Sequence, residues 1–292
     1  MEFFKEIFSL YGNTVYISLL IGFACPLVGT FLVLRRMIFL GVALPQISST
    51  GVAVALSMHI WFGHAEGGHG ADQRGLTFIG STAFSLLAIL WLAVMERRGK
   101  GITEGRIGTA YVVATAVSLL LLSKCPTAER GWLDLLKGQI IAVSGTDLGI
   151  TGGTFAAVLL VLLWFRKEFI LVSFDREMAL TLKKNVLLWD VLLYLLIGMT
   201  ISVSVLSVGP LISFGFLLIP PLTAHLLAAN MRQFAVLASL IGGVAAFAGC
   251  CVAVKWDLPI GPTDVVLLGA LYFLVFLGRR LFPAATVANQ RA

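Results

Sequence analysis

Three histidines and two carboxylates lie close together in the sequence and are the residues best suited to binding a metal ion. His59, His64 and His69 fall within the stretch HIWFGHAEGGHGAD, which also contains Glu66 and Asp72. Imidazole and carboxylate groups are common ligands of divalent transition metals. The stretch is also rich in glycine, so its ligands would be poorly ordered before a metal arrived. The sequence therefore predicts either a metal-capturing loop or an ordinary solvated loop.

A second group of polar residues lies inside an apolar segment. Gln46 is followed closely by Ser48, Ser49 and Thr50. All four side chains are neutral, whereas Zn²⁺ prefers imidazole, thiolate or carboxylate ligands. They could line an uncharged path for a substrate, or they could pack against neighbouring helices as small residues do in membranes. The residue types alone leave both interpretations open.

Motifs for enzymatic chemistry are missing from the sequence. The phosphate-binding motif G-x-x-x-x-G-K-[ST] does not occur, and Gly99-Lys100 lacks both the upstream glycine and the following Ser or Thr. There is also no H-E-x-x-H and no pair of aspartates at the centre of an apolar run. We therefore expect no enzymatic activity and no cofactor bound by this chain. If its function consumes ATP, a partner subunit must hydrolyse it.

Residues 166–186 form the most basic stretch between two apolar segments and have the pattern of a short amphipathic helix. Phe174, Met178 and Leu182 are spaced four residues apart and would share one face of that helix. Asp175 is placed to cap its N-terminus, and two lysines follow at its C-terminal end, where positive charge is favourable. Such a helix could dock into a groove on another protein, or it could lie on the membrane surface.

The composition indicates which elements would position these residues. Of the 292 residues, 59% are hydrophobic and 12% are charged, and the mean hydropathy is +0.97. Soluble domains carry about 25% charged residues. Apolar runs of about 20 residues are long enough for helices to cross a bilayer, and they lack the alternation of barrel strands. We therefore predict an all-α integral membrane protein with a single transmembrane domain over residues 1–292.

Nine transmembrane helices are predicted in this bundle. Only Val208, Gly209 and Pro210 separate the sixth from the seventh, so a bundle of eight helices is the alternative. The nine segments are 12–34, 38–62, 76–95, 107–123, 148–165, 187–208, 210–229, 233–254 and 261–278.

The distribution of basic residues predicts the orientation. Fifteen of the 21 lysines and arginines fall on the cytoplasmic side if Arg35 and Arg36 do. Because cytoplasmic flanks are enriched in positive charge, the N-terminus is predicted outside and the C-terminus inside. The basic residues occur in short clusters between apolar runs, so the net charge of +6 indicates contact with membrane lipid and no nucleic-acid partner.

Three stretches carry a resemblance to a known family by their order and spacing. They are FLVLRRMIFLGVALPQISSTGVAVA, FRKEFILVSFDREMALTLKKNVLLWD, and GPLISFGFLLIPPLTAHLLAANMRQ followed by DLPIGPTDVVLLGALYFLV. From about Tyr11 to Arg280 the chain resembles the zinc and manganese permeases of ABC importers, whose fold is related to that of vitamin B12 and siderophore permeases. This resemblance implies the membrane permease subunit of an ATP-driven importer for zinc, manganese, iron or a small metal complex.

The resemblance also implies partners and a location. They are an ABC ATPase subunit, an external metal-binding protein, and a second permease copy or a paralogue that completes a dimer in the bacterial cytoplasmic (inner) membrane. In families of this type, the loop that corresponds to residues 166–186 contacts the ATPase. The residues implied in this coupling are Phe174, Asp175, Arg176, Glu177, Met178 and Leu182.

One position departs from the pattern of the family. Related metal permeases usually carry G-D-x-x-x-H in the first stretch, where Asp and His one helical turn apart suit a cation. This chain has Gly41 but then Val42 and Gln46. The implied fold and coupling therefore transfer better than the implied metal site. The alternative is a transport-inactive scaffold or regulatory subunit that keeps the fold without the metal path.

Overall fold

The computed structural model describes residues 2–61, 70–97, 103–123 and 145–281, and every regular element within these ranges is an α-helix. Each of nine long helices in this described part overlaps one of the predicted apolar segments, and two short helices lie within the predicted segment 166–186. The helices are α1 (Glu2–Leu34), α2 (Ile38–Trp61), α3 (Gly70–Arg97), α4 (Thr103–Leu122), α5 (Gly145–Trp164), α6 (Arg166–Phe174), α7 (Arg176–Thr181), α8 (Val186–Val208), α9 (Pro210–Leu227), α10 (Met231–Trp256) and α11 (Ile260–Leu281).

The prediction of a helical, multi-span membrane fold is confirmed. Six helices in the described residues are long and apolar enough to cross a membrane, namely those within α1, α2, α8, α9, α10 and α11. A seventh span results if α5 and α6, which are bent by 68° relative to each other, are taken together. Shorter apolar stretches, Thr77–Trp91 and Gly105–Leu121, lie within α3 and α4.

The helix boundaries follow from local backbone chemistry. Gly209 separates α8 from α9 with φ 85° and ψ 166°, a conformation that is essentially restricted to glycine. Pro210 then starts α9, where its missing N–H would have had no helical partner. Asn230 caps α10 by accepting a hydrogen bond from the backbone N–H of Gln233 at 2.9 Å.

The core of the bundle forms around α1, which packs against α9 and α10, while α2 packs against α3 and α4. Small residues allow the closest of these approaches. A Cβ added at Gly22 would collide with α10 at Gly242, and one added at Gly51 would collide with the backbone of α3 at Gly80. Close backbone packing through small residues is a common basis of helix association in membranes.

Candidate functional site

One face of α2 is only partly covered by the described helices. Val42 and Gln46 lie one turn apart on this face and are both partly exposed, whereas Gly41, Leu44 and Ile47 are buried. The face therefore presents a valine and a neutral amide at the two positions where the resemblance implied an Asp and a His. Neither side chain is a strong ligand for a transition metal.

The opposite side of α2 is held by a cluster of hydroxyl groups. Ser48 Oγ and Ser81 Oγ share a hydrogen bond of 2.7 Å, and Ser81 Oγ lies 2.9 Å from Ser202 Oγ. Thr82 Oγ1 also shares a bond of 2.9 Å with Ser202 Oγ. These residues belong to α2, α3 and α8, so the hydroxyl cluster (Ser48, Ser81, Thr82 and Ser202) connects three helices.

The next two hydroxyls along α2 are also used in packing. Ser49 Oγ and Thr50 Oγ1 donate to the carbonyl of Gln46 at 2.8 and 2.9 Å. Ser118 Oγ in α4 donates to Thr50 Oγ1 at 2.8 Å. Ser48, Ser49 and Thr50 are all buried, so these contacts favour helix packing over an uncharged path. Of the four predicted path residues, Gln46 is the one that stays partly exposed.

The predicted metal-capturing loop falls largely outside the described residues. His64 and His69 lie in the gap between α2 and α3, and His59 lies in the last turn of α2, without a described side-chain position. Within the described part of the chain, no group of three or more His, Cys, Asp or Glu side chains is arranged to hold a metal ion. Metal capture by the three histidines stays a prediction.

The segment 166–186 contains two short helices, where the sequence predicted one short helix with Asp175 as its N-cap. The helical conformation is interrupted at Asp175, whose backbone is extended (φ −138°, ψ 87°), and this residue separates α6 from α7. As the capping pattern predicted, the Asp175 side chain accepts the backbone N–H of Met178 at 2.8 Å. The break occurs because Asp175 satisfies the start of α7 as a cap and cannot at the same time continue α6.

The two short helices nevertheless expose the predicted apolar residues. Phe174, Met178 and Leu182 are 60%, 52% and 54% exposed, while Ala179 on the other side of α7 is fully buried. Ala179 packs with Val172 and Val186 in a small cluster that fixes the segment to the bundle. We call the exposed residues Phe174, Met178 and Leu182 the apolar triad. Glu177 is exposed beside them.

A tight turn closes the segment on its C-terminal side. Lys183 adopts a left-handed conformation (φ 54°), and the backbone N–H of Lys184 donates to the carbonyl of Ala179 at 3.0 Å. This 6→1 hydrogen bond is the mark of a Schellman C-cap. Lys184 Nζ also lies 3.9 Å from Glu168 Oε1, which links the end of α7 back to α6. The apolar triad is therefore displayed on a compact, locally supported structure.

A buried charge cluster that sequence reasoning missed lies directly behind this segment. Arg35 Nη1 pairs with Asp190 Oδ1 at 2.8 Å, and Arg35 Nε donates to Ser173 Oγ at 3.0 Å. The guanidinium also lies over the ring of Tyr194, 5.5 Å from its centroid. Each charge stands at the end of an apolar run and looks like an ordinary membrane flank, so nothing in one sequence indicates that the two meet.

A second buried carboxylate, also missed, lies elsewhere in the bundle. Asp264 in α11 is fully buried, and Ser18 Oγ in α1 donates to its Oδ2 at 3.4 Å. Its Oδ1 packs against Gly249 of α10, where any added Cβ would collide with the carboxylate. The sequence places Asp264 near the start of an apolar run, but it does not indicate which way the side chain points.

Comparison with known proteins gives consistent relatives along nearly the whole chain. The model of the ABC 3 transport family matches residues 8–279. The manganese transport system membrane protein MntC of Halalkalibacterium halodurans is 26% identical over 276 residues, covering 94% of this chain and 89% of that protein. The manganese transport system membrane protein MntD of Bacillus subtilis is 29% identical over 273 residues, covering 89% of each.

A solved structure shows the same arrangement of helices. PsaBC from Streptococcus pneumoniae, determined in complex with a Fab, superimposes on this chain with a TM-score of 0.79 and 25% sequence identity. The match covers 94% of this chain and 94% of the solved one.

Proposed function

The chain belongs to the ABC 3 transport family, and from that premise we propose that it carries a divalent transition metal, with manganese the first candidate, into the cell. As a member of this family it is the membrane-spanning permease subunit of an ABC-type importer, and ATP hydrolysis resides in a separate subunit. Manganese comes first because relatives at 26% and 29% identity are named as manganese transport proteins.

The observation that carries the coupling part of this proposal is the apolar triad. Apolar side chains that face lipid are ordinary in a membrane protein. Phe174, Met178 and Leu182 instead project from the two short helices of the basic segment 166–186. A rigid apolar projection flanked by charge is suited to a groove on a soluble partner. We propose that the nucleotide-hydrolysing subunit provides this groove and that Asp175 and Glu177 form the polar edge of the contact. Arg176, whose side chain lies outside the part that the structure describes, stays a predicted member of this edge.

For the substrate path, we propose the partly exposed face of α2. Val42 and Gln46 point away from the hydroxyl-linked side of the helix, so a second permease could face them across a pathway. A homodimer would lack a strong cation site at this point, and a paralogue carrying Asp and His would supply one. The same observation favours the alternative function, a scaffold or regulatory subunit that has lost the metal path.

The remaining parts of the proposal follow the family architecture. We propose nine spans with the N-terminus outside and the C-terminus inside, in the cytoplasmic membrane of a bacterium. The complex would contain two permeases, two ATPase subunits and an external metal-binding protein. In this orientation the apolar triad lies on the cytoplasmic side, together with the pair Arg35–Asp190.

Reconstitution tests transport directly. The permease is purified with its ATPase and placed in proteoliposomes with the external binding protein, and uptake of radiolabelled Mn²⁺ is measured with and without ATP. We expect uptake that requires ATP and disappears when the ATPase carries a substitution in its phosphate-binding lysine. An assembled complex that hydrolyses ATP but takes up no Mn²⁺, Zn²⁺ or Fe²⁺ would favour the scaffold function instead.

A further inference from the structure

The turn between α1 and α2 is too short to act as a flexible linker. α1 ends at Leu34 and α2 begins at Ile38. Between them Arg36 is left-handed (φ 57°), and the backbone N–H of Met37 donates to the carbonyl of Leu32 at 2.9 Å. This is again a Schellman arrangement, which fixes the direction in which the chain leaves a helix. The backbone at Arg35 and the start of α2 are therefore held in one fixed geometry.

The side chain of Arg35 brings three separate elements together at this turn. Its Nη1 pairs with Asp190 in the second turn of α8, and its Nε binds Ser173 at the end of α6. The side chains of Arg35 and Asp190 are 10% and 13% exposed, so solvent screens their attraction little. Tyr194 adds a second link to the same turn, because its hydroxyl donates to Met37 Sδ at 3.5 Å.

Ser173 connects this charge cluster to the segment that carries the apolar triad. It lies immediately before Phe174 of the apolar triad and two residues before the cap Asp175. On the other side, α2 continues as one helix from the turn to Val42 and Gln46, with Pro45 inside it. A displacement of the apolar triad would therefore reach the partly exposed face of α2 through one guanidinium and one rigid turn.

We propose that Arg35 is a positioning residue that transmits movement of the ATPase-contacting segment to the pathway helix α2. Asp190 provides the fixed charge that holds the guanidinium, and Ser173 is its link to the moving segment. This inference rests on the proposed transport function. It assigns to the buried pair a role in coupling that is distinct from holding the fold together.

The test separates coupling from folding by replacing the charged pair with apolar residues. The variant Arg35→Met with Asp190→Leu removes both charges and leaves neither one unpaired, which is often tolerated energetically. In the reconstituted complex we expect continued ATP hydrolysis, with Mn²⁺ uptake per ATP reduced by about tenfold, within the usual range of coupling factors. The matched control is Arg36→Met, since Arg36 is the next residue and is exposed.

Two milder variants keep the proposal falsifiable if the double variant folds poorly. Ser173→Ala removes the link to the segment and should lower uptake per ATP by about fivefold, the low end of such factors. Arg35→Lys keeps the charge but cannot reach both partners in the same geometry. The thermal stability of Arg35→Lys should stay close to that of the wild type, while its ratio of uptake to hydrolysis should still be lowered.

The outcomes distinguish this inference from the function on which it rests. Uptake by the wild type combined with a normal ratio in Ser173→Ala and in the double variant would overturn the positioning role alone. A wild-type complex that hydrolyses ATP and carries no metal would overturn the proposed function and this inference together.

Discussion

Asp190 and Asp264 are two carboxylates within membrane helices, and their surroundings differ in nearly every respect. Asp190 lies in the second turn of α8, just after the basic segment 166–186, and forms an ion pair of 2.8 Å with Arg35. Asp264 is fully buried near the start of α11, with the hydroxyl of Ser18 at 3.4 Å. Its Oδ1 has no hydrogen-bond partner among the described residues. The first carboxylate is held by charge and the second by close packing.

The difference shows how a membrane protein can accommodate a carboxylate in two ways. In the Arg35–Asp190 pair each charge compensates the other, and the pair connects three elements, so its loss should lower the free energy of unfolding of the whole bundle. Asp264 relies on the hydroxyl of Ser18 and on the space that Gly249 leaves. Its loss should be felt locally.

The largest effect is expected for Asp190→Asn. The substitution keeps the shape of the side chain but leaves the buried guanidinium of Arg35 without its counter-charge. Removing the charge of one partner of such a pair costs about 3 kcal/mol. This value is near the lower end of the range for buried pairs, because the side chains of Arg35 and Asp190 are still 10% and 13% exposed. The free energy of unfolding in detergent, measured by SDS titration, provides the test, with the exposed Arg36→Gln as its control.

A smaller loss is expected for Gly249→Ala, which adds a methyl group where the Asp264 carboxylate packs. Overpacking in a close-packed interior costs about 1–3 kcal/mol. The double variant with Asp264→Ala removes the clashing carboxylate and should recover part of that loss. Gly269→Ala in α11 is the matched control, since nothing lies within 4 Å of an added Cβ there. Equal losses at Gly249 and Gly269 would contradict the close packing.

The contrast between these carboxylates also shows what could be predicted from the sequence. Runs of apolar residues predicted the long helices of the described residues, and Gly209-Pro210 marked a boundary, because these signals act over a single turn or a single span. The Arg35–Ser173 contact joins residues 138 positions apart, and the bond between Ser81 and Ser202 spans 121. Pairings of this kind depend on the packing of helices, which the periodicity of one sequence does not encode.

The apolar triad illustrates an intermediate case. The spacing of Phe174, Met178 and Leu182 predicted a shared exposed face, and all three are exposed. The sequence also predicted Asp175 as the N-cap of a short helix, and α7 begins directly after it. The helix that precedes it, α6, was not predicted, because a capping pattern indicates only where the next helix begins.

An effect below about 1 kcal/mol is expected for Asp264→Asn, in contrast to Asp190→Asn. The amide has the same shape and still accepts the Ser18 hydroxyl, and no opposite charge is left unpaired. The same SDS titration compares the two variants directly. A loss as large as that of Asp190→Asn would mean that Asp264 has a charged partner and that the two carboxylates are not different in kind.

The smallest effect concerns the partly exposed face of α2, where a third carboxylate can be introduced. Gln46→Ala alone should change Mn²⁺ uptake by less than about twofold, because a neutral amide contributes weakly to the ligand shell of a transition metal.

The double variant Val42→Asp with Gln46→His places two ligands one turn apart and should create measurable Zn²⁺ or Mn²⁺ binding. If this face met lipid, the new carboxylate would cost about 2–3 kcal/mol on insertion and lower the yield of protein. Normal yield with new metal binding, measured by mass spectrometry of the purified complex under chelator challenge, would place the face on a hydrated path. One tightly held metal per wild-type homodimer that is lost on Gln46→Ala would contradict the weak-site interpretation, since the amide would then be a true ligand.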